Sequence, residues 1–153
     1  MLNVVRLATW EDSKDIWLWR NDTHTRSKAR SSDLVEWDSH SKWFEVTLQR
    51  DDRILLIGVD ELKEKVGMVR FDLTGEKTAE ISVNLNPQKR GLGLAKPLLI
   101  EGIEYAKKKG VRAFIAEIKN ENVSSVRTFK SIGFSFVDSN NELSFFRMTA
   151  DEL

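Results

Sequence analysis

The stretch that most constrains this chain is Gln88-Lys89-Arg90-Gly91-Leu92-Gly93-Leu94-Ala95, set between a strand-like run, Ala79 to Leu85, and a long amphipathic helix. A strand that ends in a glycine turn and enters a helix leaves several backbone N–H groups unpaired and pointing one way. The positive end of the helix dipole lies at the same place, so the turn is an anion site. Gly91 and Gly93 let a phosphate approach the backbone with no Cβ in the way. Lys89 and Arg90 add positive charge nearby. The ligand that suits such a turn is a pyrophosphate.

Spacing narrows the choice of pyrophosphate carrier. A Walker loop needs G-x-x-x-x-G-K-[ST], and no such run exists in the chain. A dinucleotide fingerprint needs a third glycine three residues after Gly93, where Lys96 stands. The pattern present is Gln-x-x-Gly-x-Gly, which resembles the coenzyme A loop of the GNAT superfamily of N-acetyltransferases. Further along, Asn122-Val123-Ser124-Ser125-Val126-Arg127-Thr128-Phe129-Lys130-Ser131-Ile132-Gly133-Phe134 is similar to the second GNAT signature. There an Asn, a small residue, an aromatic and Gly-Phe recur at these offsets. Read physically, Asn122 is a good N-cap, and Val123, Val126 and Phe129 share one helical face. Gly133 then supplies a left-handed stop. The likeness covers residues 78–137 and weakens on either side.

The resemblance implies an α/β (α+β) GNAT fold, a mixed central sheet of about seven strands flanked by about four helices. It implies acetyl coenzyme A as the acyl donor and no metal. The donor-binding residues it implies are Val83, Leu85, Gln88, Lys89, Arg90, Gly91, Leu92, Gly93, Leu94 and Ala95, joined by Asn122, Ser125 and Phe129 from the second signature. The strand before the loop conventionally offers a backbone N–H to the acetyl carbonyl, which points to Val83 or its neighbours Asn84 and Leu85.

An amine must be neutral to attack a thioester, so a base must take its proton, directly or through water. By strand alternation Glu80, Ser82 and Asn84 share one face, and Glu80 is the only carboxylate there. Glu80 is therefore the candidate base, its plain alternative being a solvent-facing strand residue. Many family members carry a tyrosine acid where this chain has Phe129, which has no proton to give. Water can suffice, because a thiol of pKa about 8.5 leaves tolerably well as thiolate. A relay through Ser125 or Ser82, or a loss of catalysis, are the other outcomes.

Elsewhere the pattern is regular. Val4 to Leu7 reads as a strand and Trp10 to Arg20 as a helix, followed by a loop from Asn21 to Asp33. Trp37, His40, Phe44 and Leu48 recur at helical spacing. Strands are expected at 54–59, 66–73, 79–85 and 112–118, with a closing hairpin, 134–137 and 143–148, over Ser139-Asn140-Asn141. Leu92, Ala95, Leu99, Ile103 and Ala106 line the long helix, whose first turn Pro97 should distort. No linker, repeat or low-complexity tract divides residues 1–153, which read as one domain.

Twenty-four basic and 24 acidic residues balance, so no net field draws the chain to nucleic acid or a membrane surface. Cysteine is absent, which removes thiolate metal sites and a Cys-based acyl-enzyme. With no signal-peptide pattern and no membrane-length apolar run, a cytoplasmic protein is expected, and a homodimer is compatible with all of this.

The acceptor side is suggested by Trp19-Arg20-Asn21-Asp22 and His40-Ser41-Lys42-Trp43-Phe44. These segments are similar to a GNAT branch that acetylates nucleotide-linked deoxy-amino sugars, as in the pseudaminic acid pathway. The resemblance implies a small-molecule amine acceptor contacted by Trp19, Arg20, Asn21, Arg26 and His40. Tryptophan faces stack on rings, while arginine and histidine bind hydroxyls or phosphate. The same tryptophans at helical spacing, and a lone histidine among apolar residues, also suit a packed core. Acetylation of a protein N-terminal or side-chain amine is the rival within the enzyme class, and a non-catalytic coenzyme A-binding module is the rival outside it.

Overall fold

The computed structural model describes residues 2–29 and 32–150. In chain order the strands are β1 (Leu2–Leu7), β2 (Arg53–Asp60), β3 (Lys65–Leu73), β4 (Thr78–Leu85), β5 (Ala113–Lys119), β6 (Ser135–Ser139) and β7 (Leu143–Thr149). The helices are α1 (Ser13–Asn21), α2 (Thr23–Lys28), α3 (Trp37–Gln49), α4 (Ala95–Lys108) and α5 (Val123–Ser131). Short 3₁₀ turns at Trp10–Asp12 and Pro87–Lys89 precede α1 and the glycine loop. The strands form one seven-stranded sheet in the order β1-β2-β3-β4-β5-β7-β6. Every neighbouring pair is antiparallel except β4 with β5. This is the mixed sheet expected, although with five α-helices rather than about four.

The extra helix is α2, inside the segment expected to be a loop. It buries no residue, so it leaves no apolar period to read. What starts it is a cap, Asp22 Oδ2 accepting the Thr25 N–H at 3.1 Å. Pro97 also departs from expectation, because α4 runs without a break from Ala95. As the third helical residue, Pro97 lacks only an N–H that would have had no partner inside the helix.

Both faces of the sheet are covered, so alternate residues of the central strands pack in opposite directions. Leu56, Val69, Phe71, Ala79 and Ile81 face α4, whose Leu98, Leu99, Ile103 and Ala106 are buried against them. Leu92, expected on this helical face, lies before the helix and is exposed. Leu55, Ile57 and Met68 face the other way, toward Ile16 and Trp19 of α1 and Phe44 of α3. Burying each such large side chain is worth about 1.5–3 kcal/mol, and truncating Leu99 to alanine would cost about 2–5 kcal/mol.

A polar knot fixes α1 to the sheet. The fully buried Asp12 carboxylate accepts from Arg6 Nη1 at 2.8 Å and from the Thr9 N–H at 2.8 Å, and Lys65 Nζ lies 2.8 Å away. Burial opposes its ionisation, but Arg6, Lys65 and the Thr9 N–H outweigh that and hold the carboxyl well below the usual range. Among the described residues no helix is long and apolar enough to cross a membrane.

Candidate active site

The site arises where two strands part. β4 and β5 pair only from Thr78–Ala113 to Glu80–Ile115. Past that point β4 stays with β3 as far as Leu85, while β5 stays with β7 as far as Lys119. A wedge therefore opens beside residues 81–85. The Asn86 N–H donates to Val66 O at 2.8 Å, so in this antiparallel ladder the even-numbered residues of β4 turn their backbone groups to β3. Those of Val83 and Leu85 point into the wedge, and those of Asn84 do not.

The glycine loop closes one end of the wedge. Asn86 shapes its entry, with Oδ1 accepting the Gln88 N–H at 3.1 Å and Nδ2 donating to Lys65 O at 2.9 Å. Gly91 and Gly93 have φ of 74° and 70°, the left-handed region in which a Cβ is strained. A Cβ at either glycine would meet nothing within 4 Å. The backbone there borders free space, and α4 begins two residues after Gly93 with its N–H groups directed at the same region. That cradle fits a pyrophosphate.

The two loop cations have different fates. Lys89 turns to the β2–β3 hairpin, 3.2 Å from Asp60 and 3.0 Å from Glu64, and so braces the loop instead of lining the opening. Arg90 pairs with Asp22 and donates to Thr25 Oγ1 at 2.7 Å, tying the loop to α2. That pairing holds Asp22 below the usual carboxylate range. Gln88 and Leu92 are exposed, and Leu94 is buried in the core.

Two chambers share the wedge. The first, of about 350 Å³, is lined by Val83, Leu85, Arg90, Gly91 and Ala95 with α5 across from them. The second, of about 510 Å³, is lined by Glu80, Ser82, Arg70, Asp72, Arg20 and Trp43 among others. Val83, Asn84, Asn122, Ser125 and Phe129 belong to both linings. Asn122 caps α5 as expected, its Oδ1 accepting the Ser125 N–H at 3.4 Å. Phe129 is buried edge-on to Phe134, with ring centres 5.0 Å apart.

Of the five expected acceptor contacts, only Arg20 lines the second chamber. Trp19 is buried in the α1–α3 core, a large aromatic with nowhere cheaper to go. His40 is fully buried; its Nε2 lies 2.9 Å from Ser13 O, so that nitrogen must carry the proton. Burial, then the charge of Arg20, keep its imidazole below the ordinary value despite that hydrogen bond. Asn21 clips the backbone of Val35 through both side-chain atoms at 2.8 Å. Arg26 donates to Asn21 O at 3.2 Å and Ser32 O at 3.3 Å. These four hold the wall in place and do not face the chamber.

Glu80, Ser82 and Asn84 do line it, on one face of β4 as alternation requires. Arg70 and Asp72 were missed, although they alternate with buried Val69 and Phe71 on β3. A polar pair interrupting an apolar strand on one face was the available signal. Arg70 Nε donates to Asp72 Oδ2 at 3.0 Å, and Arg53 Nε lies 3.1 Å from Asp72 Oδ1.

Comparison with known proteins agrees with this geometry. The Acetyltransferase (GNAT) family matches residues 13–134. The chain is 26% identical over 137 residues to the phosphinothricin acetyltransferase-type protein YwnH of Bacillus subtilis (strain 168), covering 86% of this chain and 83% of that protein. Its fold is similar to that of a spermidine N-acetyltransferase from Vibrio cholerae solved with coenzyme A and spermine, at a TM-score of 0.89 and 15% identity over 99% of this chain and 96% of the other. It is also similar to the acetyltransferase-type protein yncA from Salmonella typhimurium solved with acetyl coenzyme A, at a TM-score of 0.78 and 24% identity over 100% and 96%. The strand wedge beside a glycine loop, taken with the family match, is that of an acyltransferase. This chain belongs to the acetyltransferase (GNAT) family, and it is an acyltransferase that uses acetyl coenzyme A.

Proposed function

We propose that the protein moves an acetyl group directly to the primary amine of a small molecule, with the donor in the first chamber and the acceptor in the second. The observation that carries this reading is the junction of the two chambers at Val83 and Phe129, with Glu80 lining only the acceptor side. Acetyl coenzyme A supplies the activated thioester. Residues 91–96 offer backbone N–H groups to its pyrophosphate, and Arg90 adds charge by exchanging Asp22 for phosphate. The Val83 N–H, turned into the wedge, donates to the oxygen on which negative charge develops.

Glu80 takes the amine proton. An alkylamine with a pKa near that of lysine, about 10.4, is almost wholly protonated at neutral pH, so attack needs this step. Phe129 offers no acid, and the thiolate leaves with water as its proton source. Direct transfer suits a chain without cysteine.

A small acceptor is supported by the walls. Thr25 and Lys28 of α2, Ala29 just after it and residues 33–35 stand over the second chamber, where a protein acceptor would need an open groove. The relatives named above for phosphinothricin and spermidine also carry small-molecule names. A nucleotide-linked amino sugar stays within this reading through Arg20 and Trp43 alone. The test is thiol release from acetyl coenzyme A against amino acids, amino sugars, nucleotide-sugars, polyamines and peptides. Turnover with small amines and none with peptides is expected; turnover with peptides only would overturn it.

A further inference from the structure

The second chamber carries four cationic side chains (Arg20, Lys28, Arg70, Lys119) and four carboxylates (Asp33, Asp72, Glu80, Glu117), so its overall charge asks for nothing. The imbalance is local, around Trp43. Three guanidinium groups converge on that one ring, Arg20 and Arg70 each 5.4 Å and Arg53 5.8 Å from its centre. They come from α1, β3 and β2, so the fold assembles the cluster from residues far apart in the chain.

Among the described residues, one carboxylate pairs with this set of guanidinium groups: Asp72 is shared between Arg53 and Arg70. Arg53 is further engaged, donating to Thr47 Oγ1 at 3.0 Å. Arg20 has its cation–π contact with Trp43 and, among the described residues, no hydrogen bond or ion pair. Its side chain is nevertheless half-buried and lines the chamber. Burial, then repulsion from Arg70, lower its proton affinity, as expected of a cation held without a partner. A ring face compensates a guanidinium only in part and leaves all five of its N–H donors unused.

We propose that Arg20 and Arg70 form a subsite for an anionic group on the acceptor, so that the amine acetylated belongs to a zwitterion and not to a simple alkylamine or polyamine. This deepens the transfer reading above and rests on it for the role of the amine. Two planar forks on one aromatic platform suit a carboxylate, phosphonate or phosphate oxygen set. Ser82, directly opposite Arg70 in the β3–β4 ladder and also in the lining, adds a hydroxyl donor. Glu80 lies two residues before Ser82 on the same face, which sets the anion end and the amine end of an acceptor side by side along β4. Anion binding then positions the amine, and binding energy remote from the reacting atom raises kcat as well as affinity.

The experiment has one arm that needs no turnover. Intrinsic tryptophan fluorescence is titrated with methylphosphonate and with acetate, at ionic strength held constant with sodium chloride, for wild type, Arg20→Gln, Arg20→Lys and Arg70→Gln. Far-UV circular dichroism checks that each variant folds. Wild type should show a saturable response that chloride does not reproduce, weakened about tenfold or more in Arg20→Gln and partly restored in Arg20→Lys. A wild-type response no different from chloride, or an Arg20→Gln response equal to wild type, would overturn the subsite.

The second arm compares matched amines, L-leucine against isoamylamine and glucosamine 6-phosphate against glucosamine. The anionic member of the better pair should lead by about tenfold or more in kcat/KM, and Arg20→Gln should erase the lead. Which pair responds separates a carboxylate from a sugar phosphate, and equal rates within both pairs would contradict the proposal. Calorimetry with acetyl coenzyme A on the same samples keeps the two readings apart. A wild type that bound no donor would sink the transfer reading while the fluorescence result still judged the anion site.

Discussion

The two chambers are built from different materials. The chamber at the glycine loop is framed on one side by backbone, the N–H groups of Val83 and Leu85, left-handed Gly91 and the first turn of α4, with α5 across from them. The second chamber is lined by charged side chains brought together from α1, β3, β4 and β5, with Trp43 among them. Backbone geometry depends on a few glycines and on strand pairing, so it survives wide changes of sequence. A side-chain chamber can be rebuilt by a handful of substitutions. One fold can therefore keep its donor and exchange its acceptor.

The largest effect expected from breaking this division lies at Glu80. If it takes the amine proton, Glu80→Gln should lower kcat by about 10²–10⁴-fold near neutral pH and leave donor affinity nearly unchanged. The loss should shrink as pH rises and more acceptor is already neutral. A wild-type rate in the variant at pH 7 would make Glu80 a bystander on the chamber wall.

Next in size is a test of which aromatic and histidine residues are scaffold. His40→Ala should destabilise the fold by about 2–4 kcal/mol in a denaturant titration, without a specific rise in acceptor KM. Folded His40 stays neutral below the ordinary imidazole value, whereas the unfolded chain gains a proton as pH falls through about 6.5. Stability should therefore fall with acid in that range, and His40→Gln should flatten the dependence. A stable variant with a raised KM would return His40 to the substrate side.

Asp12 gives a smaller effect of opposite origin. Asp12→Asn should cost about 1–3 kcal/mol at pH 7, because Arg6 and Lys65 keep part of their solvation when the carboxylate is lost. Its folded value is depressed, so its contribution is complete above the unfolded value of about 4 and is lost as pH falls toward the folded one. The gap between wild type and variant should close below about pH 4. A gap that persisted in strong acid would mean a packing defect instead.

The smallest change concerns the wall common to both chambers. Phe129→Tyr should alter kcat by less than about threefold if the thiolate needs no acid, with its pKa near 8.5. A large gain in rate would mean that leaving-group protonation limits the native enzyme.

The unequal legibility of the two chambers follows from their construction. Gly91, Gly93 and the Asn122 cap act through local backbone geometry, which neighbouring residues encode, so the glycine turn and the start of α5 could be read from short motifs. The alternation of Glu80, Ser82 and Asn84 was equally local. Arg20 meets Trp43 and Arg70 only through tertiary packing, and no spacing in the chain announces it. Trp19 and His40 misled because a residue type suited to sugar binding is also suited to a core, and burial decided for the core. Short α2 was hidden for a related reason, since a helix with no buried side chain has no apolar period.

The division of labour between backbone and side chains is tested most directly by calorimetric titration of acetyl coenzyme A into wild type, Gly93→Glu and Arg20→Gln. Gly93→Glu puts a side chain and a negative charge into the pyrophosphate cradle at a φ of 70°, and should lose several kcal/mol of donor affinity. Arg20→Gln should bind the donor as wild type does. Unchanged affinity in Gly93→Glu, or an equal loss in both variants, would contradict a donor site made of backbone and an acceptor site made of side chains.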